Sequence, residues 1–282
     1  MKKVLALIFA LTMALSLAAC GNGSDTKDPA QDNTTTSSEP ITLKVAASPT
    51  PHAEILAQVK DVLAKENINL EVTEYTDYVV PNTAVEEGSE DANFFQHTPY
   101  MENHNLENGT HLVAVAKIHY EPMGIYAGKT KTLAELPDGA VIAVPNDATN
   151  EARALQLLAD QKLIEVNPDA GLDATPKDIT SNPKNLKFKE LEAAMLPNTL
   201  DEVNLSIINS NYALQGGLNP AKDALASEDA NSDAAQTFAN IITVKEGHEK
   251  DPAILALVKA LQSDAVRDFI NNTYQNAVLP VF

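Results

Sequence analysis

The run Asp91-Ala-Asn-Phe-Phe-Gln-His-Thr-Pro-Tyr100 sets two phenylalanines, an amide, an imidazole and a phenol side by side. Such a run can enclose an apolar group on one side and hydrogen-bond it on the other. Neighbours in a strand face opposite ways, so Phe94 and Phe95 must serve different compartments. The expectation is Phe94 in a core, with Phe95, His97 and Tyr100 facing a ligand. Thr98 is the expected N-cap of a following helix and Pro99 its first residue.

Arg153 sits just inside a second junction, Pro145-Asn-Asp-Ala-Thr-Asn-Glu-Ala-Arg153. A helix start offers unpaired N–H groups and partial positive charge. A guanidinium beside it adds a two-pronged donor matched to a carboxylate. Asn209 and Asn211 follow a short apolar stretch. Their amides can accept from an ammonium and donate to a carboxylate, or simply make a turn.

Other chemistries leave less trace. There is no GxSxG, GxGxxG, P-loop or HExxH pattern, and nothing calls for a cofactor. A hydrolase would have to use His97 as its base. His97, His104, His111 and His119 recur every seven or eight residues. A zinc receptor would need several of them to converge at fixed distances. The formal charge of -19 excludes a nucleic-acid partner, which requires a basic footprint.

The elements that must position these groups follow a repeated strand-then-helix rhythm. Strands are expected at Ile41–Ala47, Ile68–Tyr75, around Asp91, and at Leu112–Lys117, with helices between them, so a mostly parallel sheet is expected. Met123–Gly128 reads as a crossing strand. Val141–Val144, Leu186–Leu191 and Leu205–Ile208 then repeat the rhythm, and Asn240–Val244 crosses back. Thr132 to Glu135 and Thr199 to Glu202 fit capping boxes, and Asp251-Pro252 starts a helix. Two α/β lobes result, residues 41–124 with 245–282 and residues 125–244, with a ligand cleft between them.

Residues 1–19 form a signal peptide, with Lys2 and Lys3 ahead of an apolar run. It ends Leu17-Ala-Ala-Cys20, which resembles a bacterial lipobox, and Cys20 is the chain's single cysteine. Lipid on Cys20 would anchor the protein to a membrane surface without spanning it. An ordinary secretory cleavage is the other reading. Residues 20–40 are too polar to fold and read as a tether.

Taken together, these residues resemble the NlpA lipoprotein family, the methionine-binding lipoproteins of ABC importers. The carrying motifs are Asp77-Tyr78-Val79 with Pro81-Asn82, the Asp91–Tyr100 run, Val144-Pro-Asn-Asp-Ala-Thr-Asn150 with Arg153, Asn182-Pro-Lys-Asn-Leu186 and Ile208-Asn-Ser-Asn-Tyr-Ala213. The resemblance implies a type II periplasmic-binding-protein-like fold that delivers methionine to a permease driven by an ATPase. It further implies that Arg153 meets the ligand carboxylate and that Asn150 and Asn209 hold its amino-acid end. Tyr78, Phe95, His97 and Tyr100 would line the rest. The physics agrees: a thioether gains about 0.3–1.5 kcal/mol from an aromatic neighbour, and a buried zwitterion needs partners at both charges.

Overall fold

The structure is a computed structural model that describes residues 39–232 and 234–282. The expected signal peptide, Cys20 and nearly all of the expected tether lie outside the described residues. Strands β1 (Ile41–Ala47), β2 (Ile68–Glu74), β3 (Ala92–His97) and β4 (Leu112–Tyr120) come first. After them run β5 (Gly124–Ala127), β6 (Val141–Pro145), the short β7 (Glu165–Val166) and β8 (Ile179–Ser181), β9 (Lys187–Leu191), β10 (Leu205–Ile208) and β11 (Ala224–Ser227). The chain closes with β12 (Ala239–Lys245) and β13 (Leu279–Pro280).

They assemble into a six-stranded sheet, β13-β4-β12-β3-β1-β2, and a five-stranded sheet, β11-β5-β10-β6-β9, each with helices against it; β7 and β8 pair separately. These are the two α/β lobes. The first sheet is mixed, contrary to the mostly parallel expectation. β1 runs parallel to β2 and β3, but β12 inserts antiparallel between β3 and β4. A strand that returns from the far sheet enters this one from the opposite end, and β12 lies in it along its whole length.

Periodicity explains the cores. The first gathers Val45, Leu56, Leu63, Phe94, Leu257 and Ile270, and the second Ile125, Ile142, Leu155, Leu158 and Ile207, all essentially inaccessible. Each such side chain contributes roughly 1.5–3 kcal/mol by leaving water. All six residues of β3 are buried, because β1 and β12 flank its edges and both faces are covered.

Two caps differ from expectation. β3 passes into the helix Thr98–Asn108 with no connecting residue, so His97, not Thr98, is the N-cap; its Nδ1 accepts from Tyr100 N–H at 3.2 Å. Pro99 does sit in the first turn, and Gly109 (φ 66°) ends the helix in the left-handed region. Thr199 starts no helix. It closes the 3-10 stretch Ala193–Thr199, donating to the Leu196 carbonyl, while Glu202 reaches Lys189 at 2.9 Å. Thr132 does cap a turn of 3-10 helix, Leu133–Glu135. The helix Asp264–Tyr274 was not read from the sequence, although Val266, Ile270 and Tyr274 are the apolar stripe it buries. Among the described residues no helix is long and apolar enough to cross a membrane.

Candidate functional site

The helix Ala148–Asp160 begins where β6 ends, and Asp147 caps it by accepting from Asn150 N–H at 3.1 Å. That places Asn150 in the first turn and Arg153 in the next, both pointing inward. The helix Ser210–Gln215 likewise begins at the end of β10 and presents Asn209 and Asn211. From the other lobe β3 brings Phe95 and His97, the helix after it brings Tyr100, and the segment after β2 brings Tyr78.

These eight residues line one cavity, together with Gln96, Glu121, Ser210 and Asn240. Its lining atoms enclose ≈ 340 Å³ of space, but only ≈ 20 Å³ admits the centre of a water-sized sphere. In this packing it has room for about one water. A wider recess of ≈ 820 Å³ shares Tyr78 and Tyr100 with it. The lobes are in contact around the cavity. Tyr78 Oη donates to Asn211 Oδ1 at 2.6 Å, His97 Nε2 lies 3.2 Å from Asn150 Oδ1, and Tyr212 Oη donates to the Thr76 carbonyl at 3.1 Å.

One wall is aromatic. Tyr78 stands 5.7 Å from Phe95, 5.7 Å from Tyr100 and 4.8 Å from Tyr212, ring centre to ring centre. Phe94 faces away into the core, as strand alternation requires.

The opposite wall is polar, and two of its atoms are unsatisfied. Asn150 Oδ1 accepts from Asn209 Nδ2 at 2.9 Å, which leaves Asn209 Oδ1 buried without a partner. Tyr78 occupies Asn211 Oδ1, which leaves Asn211 Nδ2 buried without one. A buried unpaired polar group costs about 1–3 kcal/mol. The cavity therefore presents one unmet acceptor and one unmet donor to whatever fills it.

Arg153 is 5% exposed and lines the same cavity as Phe95 and His97, but it is not a free fork. Its Nε and Nη2 each donate to Glu228 at 2.6 Å, and Nη2 also donates to the Glu121 carbonyl at 2.8 Å. The Phe238 ring lies 4.4 Å from the guanidinium carbon. Burial works against the charge on Arg153, but the Glu228 carboxylate more than offsets it and raises the pKa. Burial likewise opposes the charge on Glu228, and Arg153 with hydrogen bonds from Tyr120 and Met123 N–H brings it below the usual range. Glu228 carries no sequence signal. It lies just past β11, and only the fold brings it to Arg153.

His97 is neutral. Burial and the nearby Arg153 charge lower its pKa to about 3. Nδ1 accepts at the cap, so Nε2 carries the proton and donates to Asn150 Oδ1. Both ring nitrogens are engaged, so neither is free to act as a base. The histidine spacing does not form a cluster. His111 is exposed, and His119 packs instead with His52 and Glu121, which the sequence did not pair. His119 Nε2 lies 2.7 Å and His52 Nε2 3.4 Å from Glu121 Oε1, while His52 Nε2 is 2.8 Å from Asn240 Oδ1. Glu121, whose pKa burial raises against the pull of His52 and Arg153, is the one carboxylate on the cavity wall among the described residues.

Two α/β lobes closing on a cavity that is oily on one side and carries amides, a guanidinium and a carboxylate on the other define a solute-binding protein. The comparisons say which kind. Residues 43–282 match the NlpA lipoprotein family, and the chain belongs to it. It is 38% identical over 285 residues to the methionine-binding lipoprotein MetQ of Bacillus subtilis, covering 100% of this chain and 99% of that protein. A Burkholderia cenocepacia nutrient-binding protein, solved bound to methionine, is 41% identical with a TM-score of 0.81, over 85% of this chain and 100% of that one. A periplasmic substrate-binding protein of an ABC transporter from Coxiella burnetii is 39% identical with a TM-score of 0.79, again over 85% of this chain and 100% of that one.

Proposed function

We propose that this protein is an extracytoplasmic receptor that captures methionine in the cavity and delivers it to an ABC permease driven by an ATPase, anchored to a membrane by lipid on Cys20. Its lobes are residues 41–124 with 239–282 and residues 125–238, in place of the expected return at 244, because β12 pairs within the six-stranded sheet. The observation that carries the reading is the pair of unmet atoms. Asn209 Oδ1 needs a donor and Asn211 Nδ2 needs an acceptor, and the ammonium and carboxylate of one amino acid supply both. Arg153 adds positive charge at the carboxylate end through Nη1, the one nitrogen that Glu228 does not occupy, and Glu121 balances the ammonium. The Tyr78, Phe95 and Tyr100 rings suit a thioether. The related receptors described as methionine-binding support the same choice.

The cavity supports binding without turnover. Both nitrogens of His97 are occupied, and the Ser210 hydroxyl donates to the Pro122 carbonyl at 2.5 Å. The test is titration calorimetry of the purified protein with L-methionine. Micromolar or tighter binding that vanishes in Arg153→Ala is expected. No heat with methionine but strong heat with another amino acid would overturn the substrate assignment, and native mass spectrometry of the protein as purified would identify any co-purified ligand.

A further inference from the structure

Behind the cavity wall lies a group of side chains that the binding site does not itself use. His52, from the helical segment after β1, and His119, near the end of β4, are 1% and 0% exposed. Their rings are 4.8 Å apart, and both stack edgewise on Phe94. Both Nε2 atoms lie near Glu121 Oε1, that of His119 in hydrogen-bond reach at 2.7 Å and that of His52 at 3.4 Å with a partner of its own, Asn240 Oδ1, at 2.8 Å. Their Nδ1 atoms are buried and have no partner.

The orphaned Nδ1 atoms fix the tautomer. An unpaired N–H in an apolar pocket is rarer and costlier than an unpaired lone pair. The protons therefore sit on both Nε2 atoms, with His119 donating to Glu121 Oε1 and His52 to Asn240 Oδ1. The same fact argues against a metal held by the three groups. A metal-bound imidazole almost always donates its other N–H to an acceptor, and neither ring has one to reach.

We propose that His119 is a positioning residue: its Nε2–H clamps Oε1 of Glu121 so that Oε2 is presented to the ammonium of the bound amino acid, while His52 holds Asn240 on the same wall. The inference rests on the methionine reading for the identity of the ammonium. The clamp itself rests only on the distances above. Burial raises the pKa of Glu121 and lowers those of His52 to about 4 and His119 to about 3, so around pH 7 both imidazoles are neutral donors. The other titratable groups facing Glu121 are Arg153, which bonds its carbonyl, and the Tyr78 and Tyr274 phenols, both far above their usual range through burial. None of these replaces a donor to Oε1.

Gln can place an amide N–H near the imidazole Nε2 position, whereas Leu cannot donate at all. His119→Gln and His119→Leu therefore separate hydrogen bonding from packing. Two measurements are made on each variant and on the unsubstituted protein. The first follows the Glu121 carboxyl carbon by NMR through a pH titration without ligand. The second measures L-methionine affinity by calorimetry from pH 5 to 8. His119→Leu should move the carboxyl midpoint up by roughly one pH unit and weaken methionine binding by about 10-fold or more at pH 7. His119→Gln should restore both to near the starting values. Equal behaviour of the two variants, with the midpoint unmoved, overturns the proposal. So does stoichiometric zinc in the purified protein that is lost in His119→Leu. If the unsubstituted protein gives no heat with methionine at any pH, the ligand assignment falls, while the carboxyl titration still decides whether His119 clamps Glu121.

Discussion

Replacing Glu228 with Gln isolates the charge on which Arg153 depends. The two side chains are 4% and 8% exposed and meet at 2.6 Å, so water screens them little. Gln keeps the volume and one acceptor oxygen but leaves the guanidinium without a counter-charge. Breaking a buried pair from one side costs about 3–5 kcal/mol. At roughly 2–4 °C per kcal/mol for a domain of this size, the melting temperature should fall by roughly 6–20 °C. The pKa of Glu228 is depressed in the folded state. Its stabilisation is therefore complete above the unfolded carboxyl value of about 4.3 and is lost as pH falls through the folded value. The deficit of Glu228→Gln should be full at pH 7 and shrink in strong acid. Urea titration at pH 7 gives the difference, and an unchanged m-value confirms that the unfolded state is comparable. Methionine supplies the variant with a replacement carboxylate, so the shift in melting temperature on adding saturating methionine should be larger than in the unsubstituted protein. A loss below about 1 kcal/mol would show that Arg153 does not need Glu228 and refute the reasoning.

Two further outcomes follow from the same wall. Asn211→Asp keeps the acceptor for Tyr78 but replaces the unmet donor with a buried negative charge, so methionine affinity should fall at least 100-fold by calorimetry and the melting temperature should fall as well. The neutral buried histidines set an acid limit: His52, His97 and His119 titrate at about 4, about 3 and about 3, well below their unfolded value of about 6.5. Their stabilisation is present above that value and lost as pH falls towards the folded ones, each at about 1.4 kcal/mol per pH unit. Glu121 and Glu151, both raised by burial and the latter to about 7, act in the opposite sense and offset part of it. Urea denaturation at pH 6 and pH 5 should show a net loss in the acid, and His97→Gln should reduce that slope by about one proton.

What the sequence disclosed and what it withheld divide along one physical line. Alternation and strand-to-helix junctions were legible, whereas local capping patterns were legible only in part: Thr199 fits a capping box yet starts no helix. Strand alternation separated Phe94 from Phe95, and the strand-to-helix junction marked Arg153 as inward-facing. The cap on the helix after β3 was misassigned by one residue, because nothing in the local pattern says that the strand continues directly into the helix. The partners of those residues were not legible. Glu228 reaches Arg153 across 75 positions and Asn240 reaches His52 across 188, with no periodicity to connect them. His119 looked like one of a regularly spaced set, yet its neighbour in space is His52, 67 positions away. Such pairings are products of sheet order, and the antiparallel entry of β12 was itself hidden from a strand-by-strand reading.

The tightness of the cavity has a kinetic consequence. A space that admits about one water cannot pass a solute in either direction, so every arrival and departure must wait for the lobes to part. Association should then be slower than free diffusion allows, and the observed affinity is the intrinsic one scaled by the fraction of molecules able to accept a guest. The time a captured molecule stays would be governed by how often the shell opens, more than by any single contact inside it.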